Sequence, residues 1–338
     1  MVKMEIEKLI TIIIPTHNRS EYAKRSVKYY RQELTPIPLQ ICDSSKEKNL
    51  FLEQELGLNY HHSPENSFAE KVNFALQKVQ TPYVMLIADD DFFTLTGIKA
   101  SVDFLNKHAD YSTAQGTYTR FVALKNELIL FPIYENGLSE DFENNSKAFR
   151  VAHLMNSYYP LFYAIQRTEV MRKTYSALVE NKISNLNLVE FSMAIIPTCL
   201  GKVKMLPRFY CAREHIFNSA GFTTESFISI TKNEKFKEEY ERFLKMISAF
   251  VFENETDFSK AKTEKIFLPY LNKVGLSTRK KITKIIRQLL PKAIEQKIIA
   301  NQQQKNIFSK IAQYQLHQGF PYSNEEAKME WERMRKYL

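Results

Sequence analysis

LITIIIPTHNRSEYAKRSVKYYRQE, residues 9 to 33, decides the fold class. LITIII is apolar and mostly β-branched, and Pro15 closes it, which predicts a strand buried on both faces. SEYAKRSVKYYRQE then predicts a helix, with Ser20 as its N-cap and Tyr22, Val27 and Tyr30 along an apolar stripe. The alternation continues outward. A strand at PLQIC, a helix at NLFLEQEL, a short strand around LNYHH, a helix from about Ser67 to Val79 and the strand PYVMLIA follow in turn. This order predicts a right-handed, doubly wound α/β unit, a mostly parallel sheet flanked by helices, over the first 115 residues.

Beyond that unit the pattern changes. TYTRFVALK and ELILFPIY read as a hairpin, residues 146 to 220 return to helix-like segments, and KVKMLPRFYC reads as an apolar-basic strand. After Gly221 the chain reads as almost entirely helical, with polar helices from about Asn233 to Phe252 and from Ser277 to His317. The division expected is an α/β domain over 1–221 and a basic helical region over 222–338.

Composition bounds the function. At 338 residues, with 44% hydrophobic and 25% charged side chains, the chain has ample material for a core and the make-up of a globular protein. Its eight glycines are sparse, and no two lie closer than Gly97 and Gly116, which excludes both a G-x-G-x-x-G fingerprint and a Walker A loop. Cys42, Cys199 and Cys211 form no C-x-x-C pair, which fits a reducing compartment and excludes a structural cysteine-zinc site. The N-terminal stretch carries charges up to Lys8 and has no secretory apolar region, so a cytoplasmic location is expected. HLMNSYYPLFYAIQ and FSMAIIPTCL are too short to span a bilayer.

The net charge of +9 is unevenly placed: residues 1 to 221 hold 25 basic and 24 acidic side chains, and the remainder hold 22 and 14. It is densest in STRKKITKIIRQLLPKAIEQK, residues 277 to 297, where Ile282, Ile285, Ile286, Leu289 and Leu290 recur at helical spacing and Pro291 ends or kinks the helix. Three readings stay open for it: packing on the protein's own core, docking on an anionic membrane surface at the inner face of the membrane, and nucleic-acid binding. Nucleic acid is the least expected, because no aromatic residues interleave the charges.

Polar residues gather where the strands end. The first strand runs into Pro15-Thr16-His17-Asn18-Arg19, the second into Cys42-Asp43-Ser44-Ser45, and YVMLIA into Asp89-Asp90-Asp91. Ligands of such sheets bind outside the carboxyl ends of the strands. Three adjacent carboxylates repel one another and raise one another's pKa, a cost that a divalent cation removes. Mg²⁺ or Mn²⁺ takes carboxylates together with phosphate oxygens and water. The alternative is an acidic helix start.

ITIIIPTHNR, ICDSS, PENSFAEKVNFALQKVQTPYVMLIADDDFF and NLNLVEFSMAIIPTCLGKVKMLPRFYCAREHIFNS, in that order, resemble a family-two glycosyltransferase with a GT-A fold, over about residues 9 to 220. The resemblance implies a nucleotide-sugar donor, Mn²⁺ or Mg²⁺ on the aspartates, and inversion at the anomeric carbon. It places Pro15, Thr16, Asn18 and Arg19 at the nucleotide, Asp43 at the base, and Asn66, Lys71 and Asn73 on the phosphate side, with Ser67-Phe68 where the family has a glycine. Asp89 and Asp91 form a D-x-D, while Asp90 and Asp91 match an adjacent pair. Asp91, common to both registers, is the metal ligand implied. Glu190 takes the place of the general base, with Phe191 where a second acid is usual, and Arg213 and His215 match a basic cluster facing the diphosphate or completing the metal shell.

The acceptor implied is a glycan or lipid-linked hydroxyl in bacterial surface polysaccharide assembly. With no spanning helix and no R-W motif, Trp331 being the only tryptophan, single-sugar transfer is expected rather than processive synthesis. Two other readings stand beside it: a non-catalytic GT-A-like scaffold, and a nucleotidyltransferase, which would need a glycine-rich loop after the first strand that THNRSEYAKR does not supply.

Overall fold

LITIII forms its strand. In a computed structural model, which describes residues 5–55, 57–124, 127–132, 140–214, 225–252, 258–275 and 324–338, β1 (Ile10–Thr16) is buried almost throughout. Helix α1 (Ser20–Glu33) follows, but its cap position is Arg19; Ser20 lies inside the first turn, where its hydroxyl accepts a bond from Asn49 Nδ2. The unit continues with β2 (Leu39–Asp43), α2 (Leu50–Gln54), β3 (Asn59–His62), α3 (Phe68–Lys78) and β4 (Tyr83–Leu86). Ser67 and Glu70 form a reciprocal capping box that starts α3.

β1, β2, β3 and β4 pair in parallel, as the alternation predicts. The rest of the sheet is mixed. β5 (Phe92–Phe93), α4 (Leu95–Lys107), β6 (Tyr111–Leu124), β7 (Glu127–Pro132), α5 (Lys147–Asn156), β8 (Ile165–Arg167), α6 (Thr168–Glu180), α7 (Leu186–Leu200) and β9 (Lys202–Glu214) complete it in the strand order β3-β2-β1-β4-β8-β6-β9-β5, with β7 on β6. β8 lies antiparallel to both β4 and β6, β5 is antiparallel to β9, and β6 runs parallel to β9. The β6-β7 hairpin read from the sequence is present.

Two apolar layers cover the sheet. One face packs α3, α5, α6 and α7, together with Phe227, Phe243, Ile247 and Phe267 of the chain beyond 221. The other packs α1 and α4, and here Met334 is fully buried while Trp331 stacks edge-on against Phe121 at 5.5 Å. The helices Lys237–Val251, Lys260–Gly275 and Asn324–Arg335 therefore lie on the chain's own sheet layers. α4 approaches β9 closely at Gly97, where a Cβ would lie 2.6 Å from the Phe209 carbonyl oxygen. Among the described residues no helix is long and apolar enough to cross a membrane. The basic stretch 277 to 297 lies outside the described residues.

Candidate active site

The parallel strands end together. Thr16 of β1 is in register with Asp43 of β2, Pro15 with Cys42, and β4 stops just before Asp89, Asp90 and Asp91. Asn18 turns the chain out of β1 in the left-handed region, with φ of 54°, a conformation asparagine tolerates better than most residues. Its N–H donates to Ser45 Oγ at 2.7 Å, which joins the first two strand ends.

Arg19 bridges two of the aspartates. Its guanidinium lies 3.0 Å from Asp89 Oδ1 and 2.6 Å from Asp90 Oδ2, and it stacks over the Tyr22 ring. Burial works against its charge, but the two carboxylates outweigh burial and raise its pKa. Thr16 Oγ1 donates to the other oxygen of Asp89 at 2.7 Å. Burial lifts the Asp89 carboxyl to about 6, with Arg19 pulling down and Asp90 pushing up.

Asp91 is deeper. Its Oδ1 accepts the Glu214 N–H at 3.1 Å, while its buried Oδ2 has no hydrogen-bond partner among the described residues and has Arg213 Nε, 3.4 Å away, as a counter-charge. Burial, then the neighbouring Asp90, push its pKa to about 8 against the pull of Arg213 and the Glu214 N–H. The Tyr30 hydroxyl holds the Asp91 carbonyl at 2.7 Å. A divalent cation fits these residues: a buried, orphaned carboxylate oxygen is what such an ion would satisfy, and the ion would complete its shell with phosphate oxygens and water. Among the described residues no three acidic, histidine or cysteine side chains converge into a closed cage. His215 lies outside the described residues.

These shifts carry a pH dependence. Asp89 and Asp91 bind protons more tightly in the folded chain than in the unfolded one, so without cation their contribution to stability is fully present at about pH 4 and is lost as pH rises to about 8. The cation-free Tm is therefore expected to be lower at about pH 8 than at about pH 6, and saturating Mn²⁺ to raise it more at the higher pH. Thermal melts at the two pH values check this; a cation-free Tm that climbs with pH contradicts it.

Asp43 anchors the other end of the crevice. Ser45 N–H donates to its Oδ1 at 2.8 Å and the Tyr60 hydroxyl to its Oδ2 at 2.7 Å, while the same hydroxyl accepts from Asn49 N–H. A cleft of about 430 Å³ opens beside it, walled by Thr16, Asn18, Ser45 and the polar loop from Lys46 to Asn49. Lys71 is buried behind the turn, its ammonium bonded to the Thr16 carbonyl and to Ser44 Oγ, and burial lowers its pKa. It ties β1 to β2. Asn66 sits half-buried in the loop before α3. Asn73 is not brought to the cluster: its side chain meets Gln77 on α3 and Ser176 on α6.

Glu190 is linked to the cluster through the charge of Arg213. It stands in the second turn of α7, whose first turn is capped by Asn185, and is half-buried. Burial raises its pKa, opposed by a 3.1 Å hydrogen bond from the Tyr158 hydroxyl and by the charge of Arg213. Arg213 thus acts electrostatically on both Asp91 and Glu190. Arg25, Tyr30, Tyr60, Tyr158 and Glu214, which complete the network, carry no motif of their own.

Residues 11–158 match the sequence model of glycosyl transferase family 2. Over that segment the chain is similar to family-two glycosyltransferases, and its fold is of the GT-A type. Among solved structures, residues 1–349 of S. aureus TarS in complex with UDP-GlcNAc superpose on this chain with a TM-score of 0.52 at 17% identity, covering 86% of it and 79% of the TarS chain. The same portion of TarS in complex with UDP gives 0.50 at 14% identity, covering 84% and 75%. The longer S. aureus TarS chain gives 0.51 at 15% identity, and the match covers 81% of this chain but 44% of TarS. At these identities the likeness is one of fold. No curated protein matches the sequence.

Proposed function

We propose that the glycosyltransferase moves a single sugar from a nucleotide-sugar donor to a hydroxyl of a glycan or lipid-linked acceptor, with inversion at the anomeric carbon, in bacterial surface polysaccharide assembly. The observation that carries the reading is the convergence of three strand ends on one crevice, with the Asp43 cleft at one side, the aspartate turn in the middle and Glu190 beyond Arg213.

In this reading the cleft takes the base and ribose, against Asp43 and the loop from Ser45 to Asn49. Uridine is the first base to test, because the fold neighbour TarS was solved with UDP and UDP-GlcNAc. Arg213 faces the diphosphate, where a guanidinium suits phosphate oxygens. Asp91 would hold a divalent cation, Mn²⁺ or Mg²⁺, which would supply positive charge against the departing diphosphate. Glu190, kept basic and partly desolvated, takes the proton of the acceptor hydroxyl as its oxygen attacks the anomeric carbon and the bond to the diphosphate breaks. Tyr158 holds the carboxylate by one oxygen.

The chain works in the cytoplasm in this proposal, and the basic segment 277 to 297 places it on the inner face of an anionic membrane. The test is slow donor hydrolysis without acceptor. Mn²⁺-dependent release of UDP from a UDP-sugar is expected, and a non-catalytic scaffold releases none.

A further inference from the structure

Arg25, on α1, reaches two elements at once. One Nη2 nitrogen donates to the Asp90 carbonyl at 3.0 Å and to Glu214 Oε2 at 2.6 Å. Its guanidinium lies 5.1 Å from each of the Tyr22 and Phe92 rings, a planar group held between aromatic walls. About a fifth of either side chain is exposed, 20% for Arg25 and 19% for Glu214, so the pair is screened far less than a surface one. Glu214 is also the residue whose N–H donates to Asp91 Oδ1.

These contacts form a closed circuit. α1 grips the aspartate turn by its backbone and the end of β9 by its carboxylate, and β9 in turn grips the Asp91 side chain. With Oδ1 taken by Glu214 N–H, Oδ2 is the oxygen that has no hydrogen bond among the described residues. Which oxygen is offered, and in which direction, depends on where the Glu214 backbone sits.

We propose that the Arg25–Glu214 ion pair positions the donor site, fixing the orientation in which Asp91 presents Oδ2 to a divalent cation and a nucleoside diphosphate; this rests on the donor-site reading given above. Neither residue touches the reacting atoms in this account. Lysine is a poor substitute for Arg25, since it has no planar face to lie between Tyr22 and Phe92.

The experiment is titration calorimetry of the full chain with UDP, with and without Mn²⁺, for wild type, Glu214→Gln, Arg25→Lys and the exchanged pair Arg25→Glu with Glu214→Arg. Melting curves accompany each titration. The wild type is expected to bind UDP more tightly with Mn²⁺. Both single variants are expected to lose at least about tenfold of that Mn²⁺-dependent gain, about 1.4 kcal/mol, while metal-free UDP affinity stays within about twofold. The exchanged pair is expected to recover part of the gain. Metal-free affinity and Tm that fall in step with the Mn²⁺ gain, with no recovery in the exchanged pair, overturn the proposal in favour of a purely fold-supporting pair. Single variants with the full Mn²⁺ gain overturn it alone, whereas a wild type that binds no UDP overturns the donor-site reading with it.

Discussion

Asp91→Asn is expected to lower sugar transfer and Mn²⁺-dependent donor hydrolysis by at least about a thousandfold, the scale on which a group that stabilises developing charge acts. Three observations meet at this residue. It is buried, and among the described residues its Oδ2 has no hydrogen bond and takes its counter-charge from Arg213, at 3.4 Å. Asparagine keeps the Oδ1 acceptor for Glu214 N–H but removes the charge that a cation needs. The fold should not suffer. Because burial and Asp90 already disfavour the Asp91 carboxylate, the neutral amide removes a cost, and the cation-free Tm at about pH 8 should match or exceed that of the wild type. Steady-state rates and melting curves check both halves; a variant that is folded and fully active removes Asp91 from the account.

Glu190→Gln is expected to reduce turnover by roughly a hundredfold to ten-thousandfold, the range for a positioned general base, with donor affinity changed by less than about twofold. Glutamine still accepts from the Tyr158 hydroxyl, so packing at the head of α7 is kept while the proton acceptor is lost. Burial raises the Glu190 pKa, so the acidic limb of the wild-type pH-rate profile should lie above the ordinary carboxylate range, and that limb should vanish in the variant. Rate profiles with acceptor, together with donor binding by calorimetry, separate the two effects. Equal loss of donor binding and turnover would place Glu190 in the donor pocket instead.

How far the sequence could be read follows from what each element asks of it. LITIII and PYVMLIA are buried on both faces, so their apolar runs are continuous and legible, and the polar clusters that follow them mark the crevice. In the antiparallel part the β6-β7 hairpin was legible, and the shortest strands were not. β5 has two residues and β8 three, too few to show any period. The first half of β6 is buried yet polar: Thr113, Gln115, Thr117 and Thr119 are 0–3% exposed, so burial there leaves no apolar signature. Beyond Gly221, helical spacing announced helices but not their partners. That Met334 and Trp331 pack under the sheet, beside α1 and α4, is a tertiary fact.

The site divides in the same way. Thr16, Asn18, Asp43 and the aspartates sit at strand ends, where topology alone brings them together. Tyr30 reads as one more apolar residue of a helical stripe, and nothing in the spacing tells that its hydroxyl holds the Asp91 carbonyl. Asn73 illustrates the reverse, since a matching position in a motif faces α6 and not the crevice.

The most direct test is a thermal shift of the whole chain with Mn²⁺ against UDP-, GDP-, dTDP- and CMP-linked sugars, with Asp91→Asn as control. A ligand bound only by the native state stabilises it by about 2.7 kcal/mol at a hundredfold excess over Kd. The account predicts stabilisation by one nucleotide class, UDP first among them, that depends on Mn²⁺ and is lost in the variant. A folded protein whose Tm moves with none of these donors would contradict it and leave a GT-A fold used for binding or assembly.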